Sequence, residues 1–191
     1  GMGPKHYDPY KYLADRGELN IRAFWTTIQQ PSTPAQVDEV LKLITQQKPF
    51  QGSDYFDNIG WGESGFAPVT TQLLRPGGNT KPEDLAQFKR VAQALAEKGL
   101  YYNTHVEMTP VINAFLDIYE DLNRSVPFKG FRWSFSHLDQ IDEVQLERMK
   151  KLGMSAQIHS RPLIQGALMH KAHGDKAWDM PPFRRVQDSG I

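Results

Sequence analysis

Hydrophobic and polar positions along this chain switch repeatedly between two periods. Runs rich in β-branched and aromatic residues cover Asn20 to Ile28, Tyr55 to Trp61, Leu100 to His105, Phe131 to His137 and Met154 to His159, and read as strands. Between them, apolar residues recur at helical spacing. Val37, Val40, Leu41 and Ile44 follow a Thr33-Pro34 start, and Leu85, Phe88, Ala92 and Leu95 run to a stop at Gly99. Val111, Phe115, Ile118 and Leu122 line a helix from about Pro110 to Asn123. Leu146 and Met149 lie between an Asp142/Gln145 cap and Gly153, and a last helix is expected near Phe183 to Gln187. Thr80 with Glu83 reads as a capping box, Arg75 to Asn79 as a turn, and the stretch with His170 and His173 as a polar loop.

Strands alternating with amphipathic helices imply parallel βαβ units, hence an α/β fold. A closed (β/α)8 barrel needs eight strands and typically about 250 residues. Five strands in 191 residues therefore suit either an open sheet or a partial TIM barrel. The final stretch, Phe183 to Ile191, reads as a helix, a glycine stop and the first residue of another strand, so a partial barrel is expected. Residues 1–191 read as one domain, with Gly1 before Met2 as a tag scar and residues 1–8 as a tag remnant or flexible N-terminus.

Composition narrows the possible functions. Apolar content of 39% and charged content of 23% are those of an ordinary globular protein. A formal net charge of zero without a basic block removes the electrostatic footprint of a nucleic-acid binder. No apolar run suggests a membrane span, and the start has no apolar core of a signal peptide, so a cytoplasmic location is the default. The absence of cysteine excludes disulfides, thiolate metal sites and cysteine nucleophiles.

His105 and His137 end two consecutive strands. If those strands are parallel neighbours, both imidazoles lie at the C-terminal rim of one sheet, about 5 Å apart, where α/β folds place ligands and chemistry. Such a pair suits a divalent metal, but spacing alone favours two rim histidines hydrogen-bonded to polar neighbours. His159 suits a substrate-facing residue or a half-buried core histidine. Arg161 suits an anionic substrate group or, in preference, a pairing with a surface carboxylate. His170 and His173 have helical metal-ligand spacing, yet their polar, glycine-flanked setting favours solvation. Trp25, Trp61 and Trp133, with Tyr101, Tyr102 and Phe135, read as core or barrel-lining residues. No Walker spacing occurs around Trp61, and Glu63-Ser64-Gly65 lacks the glycine pattern of a nucleophile elbow.

Four stretches carry a family likeness: Asn103 to Asp117, Phe135 to Gly153, Met154 to Pro162 and Pro181 to Gly190. In this order they resemble the amidohydrolase superfamily, in its branch of metal-dependent hydrolases known as amidohydrolase family 3. The resemblance implies a TIM barrel of which this chain supplies roughly strands three to seven. It implies hydrolysis of amide or cyclic-amide C–N bonds in a small molecule, with water activated by a divalent metal, zinc above all. His105 and His137 then correspond to the ligands of strands five and six. Glu63 would stand where the family's strand four carries a carboxylated lysine or a glutamate. His159 and Arg161 would be substrate-facing. The family's strand-one His-x-His pair has no counterpart among histidines 6, 105, 137, 159, 170 and 173, and its strand-eight Asp falls beyond Ile191. Little activity is expected of such a partial barrel, and its open edges favour a homo-oligomer. A non-catalytic barrel fragment and a small α/β binding domain without metal are the alternatives.

Overall fold

The computed structural model describes residues 6–69 and 78–191. Five strands form one sheet: β1 (Ala23–Thr27), β2 (Phe56–Glu63), β3 (Tyr101–Val106), β4 (Ser134–His137) and β5 (Ser155–Ile158). They are hydrogen-bonded in chain order, and every neighbouring pair is parallel. The principal helices are α1 (Asp8–Asp15), α2 (Pro34–Gln46), α3 (Pro82–Glu97), α4 (Thr109–Asn123) and α5 (Glu143–Lys151). Two short helices, α6 (Arg161–Ile164) and α7 (Gly166–His173), and a final α8 (Phe183–Ser189) follow β5. Helices α2, α3, α4, α5 and α8 pack side by side in the same sequence as the strands. A doubly wound sheet would reverse its strand order at a switch point. The uninterrupted order is that of a (β/α) barrel wall, as expected from the sequence.

Local sequence explains most boundaries. Thr33 accepts a hydrogen bond from the Gln36 N–H at 3.3 Å and Pro34 opens α2. The Asp142/Gln145 capping box at α5 is complete in both directions. The expected box at Thr80 is not formed. Pro82 sets the first helical residue, so the N-cap falls on Lys81, whose N–H instead donates to Asn79 Oδ1 at 3.1 Å. Of the expected Arg75–Asn79 turn, residues 75–77 lie outside the described residues, as do residues 1–5 of the expected flexible start.

Other boundaries moved. Asp8 opens α1, with a proline in its first turn. Strand β4 begins only at Ser134, because Arg132 takes a left-handed backbone with φ +54°. His170 and His173 lie on α7 and not in a loop, since buried Met169 anchors that helix against Met180.

One face of the sheet meets the helices and holds the core. Trp61, Tyr102, Trp133 and Phe135 pack there against Phe88, Phe115 and Tyr119, all fully buried. Phe88 and Phe115 stack at 3.9 Å between ring centroids. The Trp133 indole N–H donates to the Leu100 carbonyl at 2.8 Å, and Tyr119 and Thr104 share a hydroxyl hydrogen bond of 2.5 Å. Trp25 is half-buried and stacks on Tyr7 at 4.7 Å.

The opposite face is polar. Asn103 Oδ1 accepts from the hydroxyls of Ser134 and Ser136 at 3.2 and 2.5 Å, and the Gln157 amide donates to Tyr101 and Ser134, each at 3.0 Å. Tyr101 thus belongs to this polar face and not to the core. Among the described residues, no helix is long and apolar enough to cross a membrane.

Candidate metal centre

The C-terminal ends of β2, β3 and β4 bring Glu63, His105 and His137 together. His105 reaches the site by strand alternation: along β3, Tyr102, Thr104 and Val106 are buried toward the helices while Tyr101, Asn103 and His105 turn to the other face. His137 arrives differently. Val106 pairs with His137 in register, so regular alternation would place the two histidines on opposite faces. A left-handed backbone at His137 (φ +83°) and Leu138 (φ +53°) breaks that alternation. The imidazole thereby reaches the His105 side, with the two ring centroids 4.2 Å apart.

Glu63 is placed by two glycines. Gly60 and Gly62 pair with Tyr101 and Asn103 across the β2–β3 ladder. A Cβ on either glycine would lie only 2.3 Å from the Tyr101 carbonyl oxygen or 2.5 Å from that of Asn103. The backbones approach this closely because there is no side chain between them. Glu63 then ends the strand, with Oε2 3.1 Å from His137 Nε2 and 3.6 Å from His105 Nδ1.

These three residues are the one group of three or more potential metal ligands among the described residues, their donor atoms all within 4.8 Å of one another. Two ligand atoms held tetrahedrally on zinc stand about 3.4 Å apart. The separations of 3.1 and 3.6 Å bracket that value. Two imidazole nitrogens and one carboxylate, each partly open to solvent, are a donor set that zinc-class cations accept.

Electrostatics at the site couple the same groups. Hydrogen bonds from His105 first, and then His137, hold the Glu63 carboxyl well below the usual carboxylate range. Burial pulls the His105 pKa down, but Glu107 and Glu63 on either side more than offset it and raise it to about 9.

Two buried acids, Glu107 and Asp139, were not singled out in the sequence, although each stands two residues beyond a rim histidine. Both lie just past the ends of β3 and β4, and no local pattern marks either as buried. Glu107 is 1% exposed and Asp139 fully buried. Glu107 Oε1 lies 3.5 Å from His105 Nε2 and is hydrogen-bonded by Arg161. Arg161 therefore pairs with a carboxylate, but a buried one. His159, just past β5, sits 3.2 Å from Asp139 Oδ1, and its ring meets that of His137 edge-on at 4.5 Å. Burial, reinforced by the Glu107 charge, raises Asp139 to about 7. Burial also lowers His159 to about 4, with His137 and Arg161 adding to the effect.

Histidines 170 and 173 take no part in the three-residue group; His170 faces Asp175 at 3.4 Å. The Ser64 hydroxyl is buried and makes no hydrogen bond, so no base activates it.

The chain is similar to two solved structures. One is an uncharacterized metal-dependent hydrolase from Pyrococcus horikoshii OT3, 18% identical over 99% of this chain and 38% of that one, with a TM-score of 0.64. The other is an uncharacterized metal-dependent hydrolase from Pyrococcus furiosus, 16% identical over 93% of this chain and 36% of that one, with a TM-score of 0.62. This chain thus spans a little over a third of the length of either structure, and at these identities the likeness is one of fold. No curated protein matches the sequence. A model of the amidohydrolase family matches residues 1–191, and the chain belongs to that family.

Proposed function

We propose that this chain carries part of the active site of a divalent-metal-dependent hydrolase acting on the C–N bond of a small amide or cyclic amide. The convergence of Glu63, His105 and His137 carries this reading. When bound, a zinc-class cation supplies Lewis acidity, lowering the pKa of coordinated water toward neutrality and polarising a carbonyl. The protein's own contributions are distinct. His105 and His137 present Nδ1 and Nε2 toward Glu63, and Glu63 offers the anionic oxygen between them. His159, partly exposed beside His137, and Arg161, whose guanidinium remains partly open above Glu107, would face the substrate. Without a His-x-His pair, this set of three protein ligands is expected to turn substrate over weakly.

Metal analysis of the purified protein by plasma mass spectrometry tests the proposal. Near-stoichiometric zinc, manganese or iron is expected, and it should disappear in His105→Ala. Metal at background level after reconstitution would leave the family membership standing and make this a non-catalytic barrel fragment.

Self-association belongs to the same reading. The outer edges of β1 and β5 have no strand partner among the described residues, and Phe24 on β1 is 49% exposed. Light scattering should return at least twice the monomer mass of 21.8 kDa. A clean monomer at the same concentration would count against open edges that pair.

A further inference from the structure

The two histidines of the centre are supported unequally. The Nδ1 of His137 is buried and makes no hydrogen bond. Behind His105, by contrast, stands a carboxylate. Glu107 stands two residues beyond His105, one residue past the end of β3. The two nitrogens of His105 point at different acids: Nδ1 lies 3.6 Å from Glu63 Oε2, and Nε2 lies 3.5 Å from Glu107 Oε1. Glu107 itself is held. Arg161 donates to the same Oε1, and the Gln140 N–H donates to the Glu107 backbone carbonyl at 2.9 Å. A carboxylate that is 1% exposed, balanced by a guanidinium and anchored through its backbone is a fixed acceptor.

We propose that Glu107 is the positioning residue of His105: its carboxylate, 3.5 Å from Nε2, favours the tautomer protonated there and commits the Nδ1 lone pair to the side on which Glu63 lies. This inference rests on the metal reading above, since it concerns which nitrogen ligates. An imidazole has two tautomers of similar energy in water, and a carboxylate facing one nitrogen selects between them. Arg161 acts one step further out, by fixing Glu107. A residue two places from a rim histidine thereby decides the ligand atom without touching the metal.

The test combines zinc affinity, measured by competition with a chromophoric chelator, with 15N-histidine NMR of the zinc-loaded protein. Wild type should ligate through His105 Nδ1 and retain a proton on Nε2. Glu107→Gln, whose amide oxygen still accepts, should keep that pattern. Glu107→Ala should weaken zinc by about 10–100-fold and give a mixture of Nδ1 and Nε2 ligation at His105. The double variant Glu107→Ala/Arg161→Ala removes both buried charges together, and should show the same loss even where the single variant does not fold. A merely structural role for Glu107 would lower the melting temperature and leave the ligating nitrogen unchanged. Zinc held by the alanine variants with wild-type affinity and a wild-type NMR pattern overturns this inference alone. Failure of wild type to take zinc overturns the metal reading, and this inference with it.

Discussion

Gly62→Ala is expected to destabilise the protein by about 3 kcal/mol and, with it, to abolish the metal binding proposed for Glu63, His105 and His137. The new methyl would sit 2.5 Å from the Asn103 carbonyl oxygen and 2.9 Å from the Asn103 Cβ, both on the neighbouring strand. Neither is the free end of a flexible side chain, so β2 and β3 must separate. Gly62 also has φ +148°, a conformation that an alanine enters only with strain. The damage would fall on the site because Glu63 is the next residue and its carboxylate must reach His137 at 3.1 Å. Urea denaturation and zinc content of the variant check both parts. Gly166→Ala is the matched control, since no atom lies within 4 Å of its Cβ position and its backbone is ordinary. A Gly62→Ala protein that is as stable as that control and keeps its metal would show that the close strand approach does not place Glu63.

The second large effect is a pair of opposed pH dependences. His105 titrates near 6.5 in the unfolded chain and near 9 in the folded one, so the native state holds a proton that the unfolded state has lost. Its contribution to stability is complete below pH 6.5 and disappears as the pH rises through 9. Asp139, raised from 3.8 to about 7, acts in the same direction: its contribution is lost as the pH rises through 7. The lowered groups, Glu63 and His159, lose their contributions on the acid side, outside this window. Metal-free protein should therefore be less stable at pH 9 than at pH 6.5 by about 2 kcal/mol, read from urea midpoints after chelator treatment.

Zinc affinity should move the other way. Ligation needs the neutral imidazole, so one proton leaves His105 on binding, and affinity rises about tenfold per pH unit until the pH passes about 9. Chelator competition at several pH values measures that slope. Flat affinity over this range, or metal-free stability that climbs with pH, would remove His105 from between its two carboxylates.

Much of this was legible along the chain. The five strands, the order of the helices, the caps at Thr33 and Asp142 and the parallel α/β architecture all follow from residues within about one turn or one strand of each other. The face of His105 follows from period two alone. The Thr80 capping box failed for an equally local reason, because a proline two residues on moved the helix start. The α7 helix was missed because its anchor, Met169 against Met180, is a contact between separate segments.

The site depended on relations that no local pattern contains. By alternation His137 belongs on the wrong face; only its left-handed backbone, held where Leu138 N–H bonds to the Val106 carbonyl at 3.0 Å, turns it toward His105. Glu63 reaches both imidazoles because Gly60 and Gly62 let β2 press against β3. Glu107 and Asp139 look like ordinary rim acids in the sequence and become buried partners of Arg161 and His159 only when β3, β4 and the segment after β5 are packed side by side. Along the chain alone, the five strands, the principal helices between them and their order were readable, because periodicity and capping act between near neighbours. The tertiary structure alone decided which atoms of Glu63, His105 and His137 face one another, because that depends on strand register, backbone handedness and burial across elements distant in the chain.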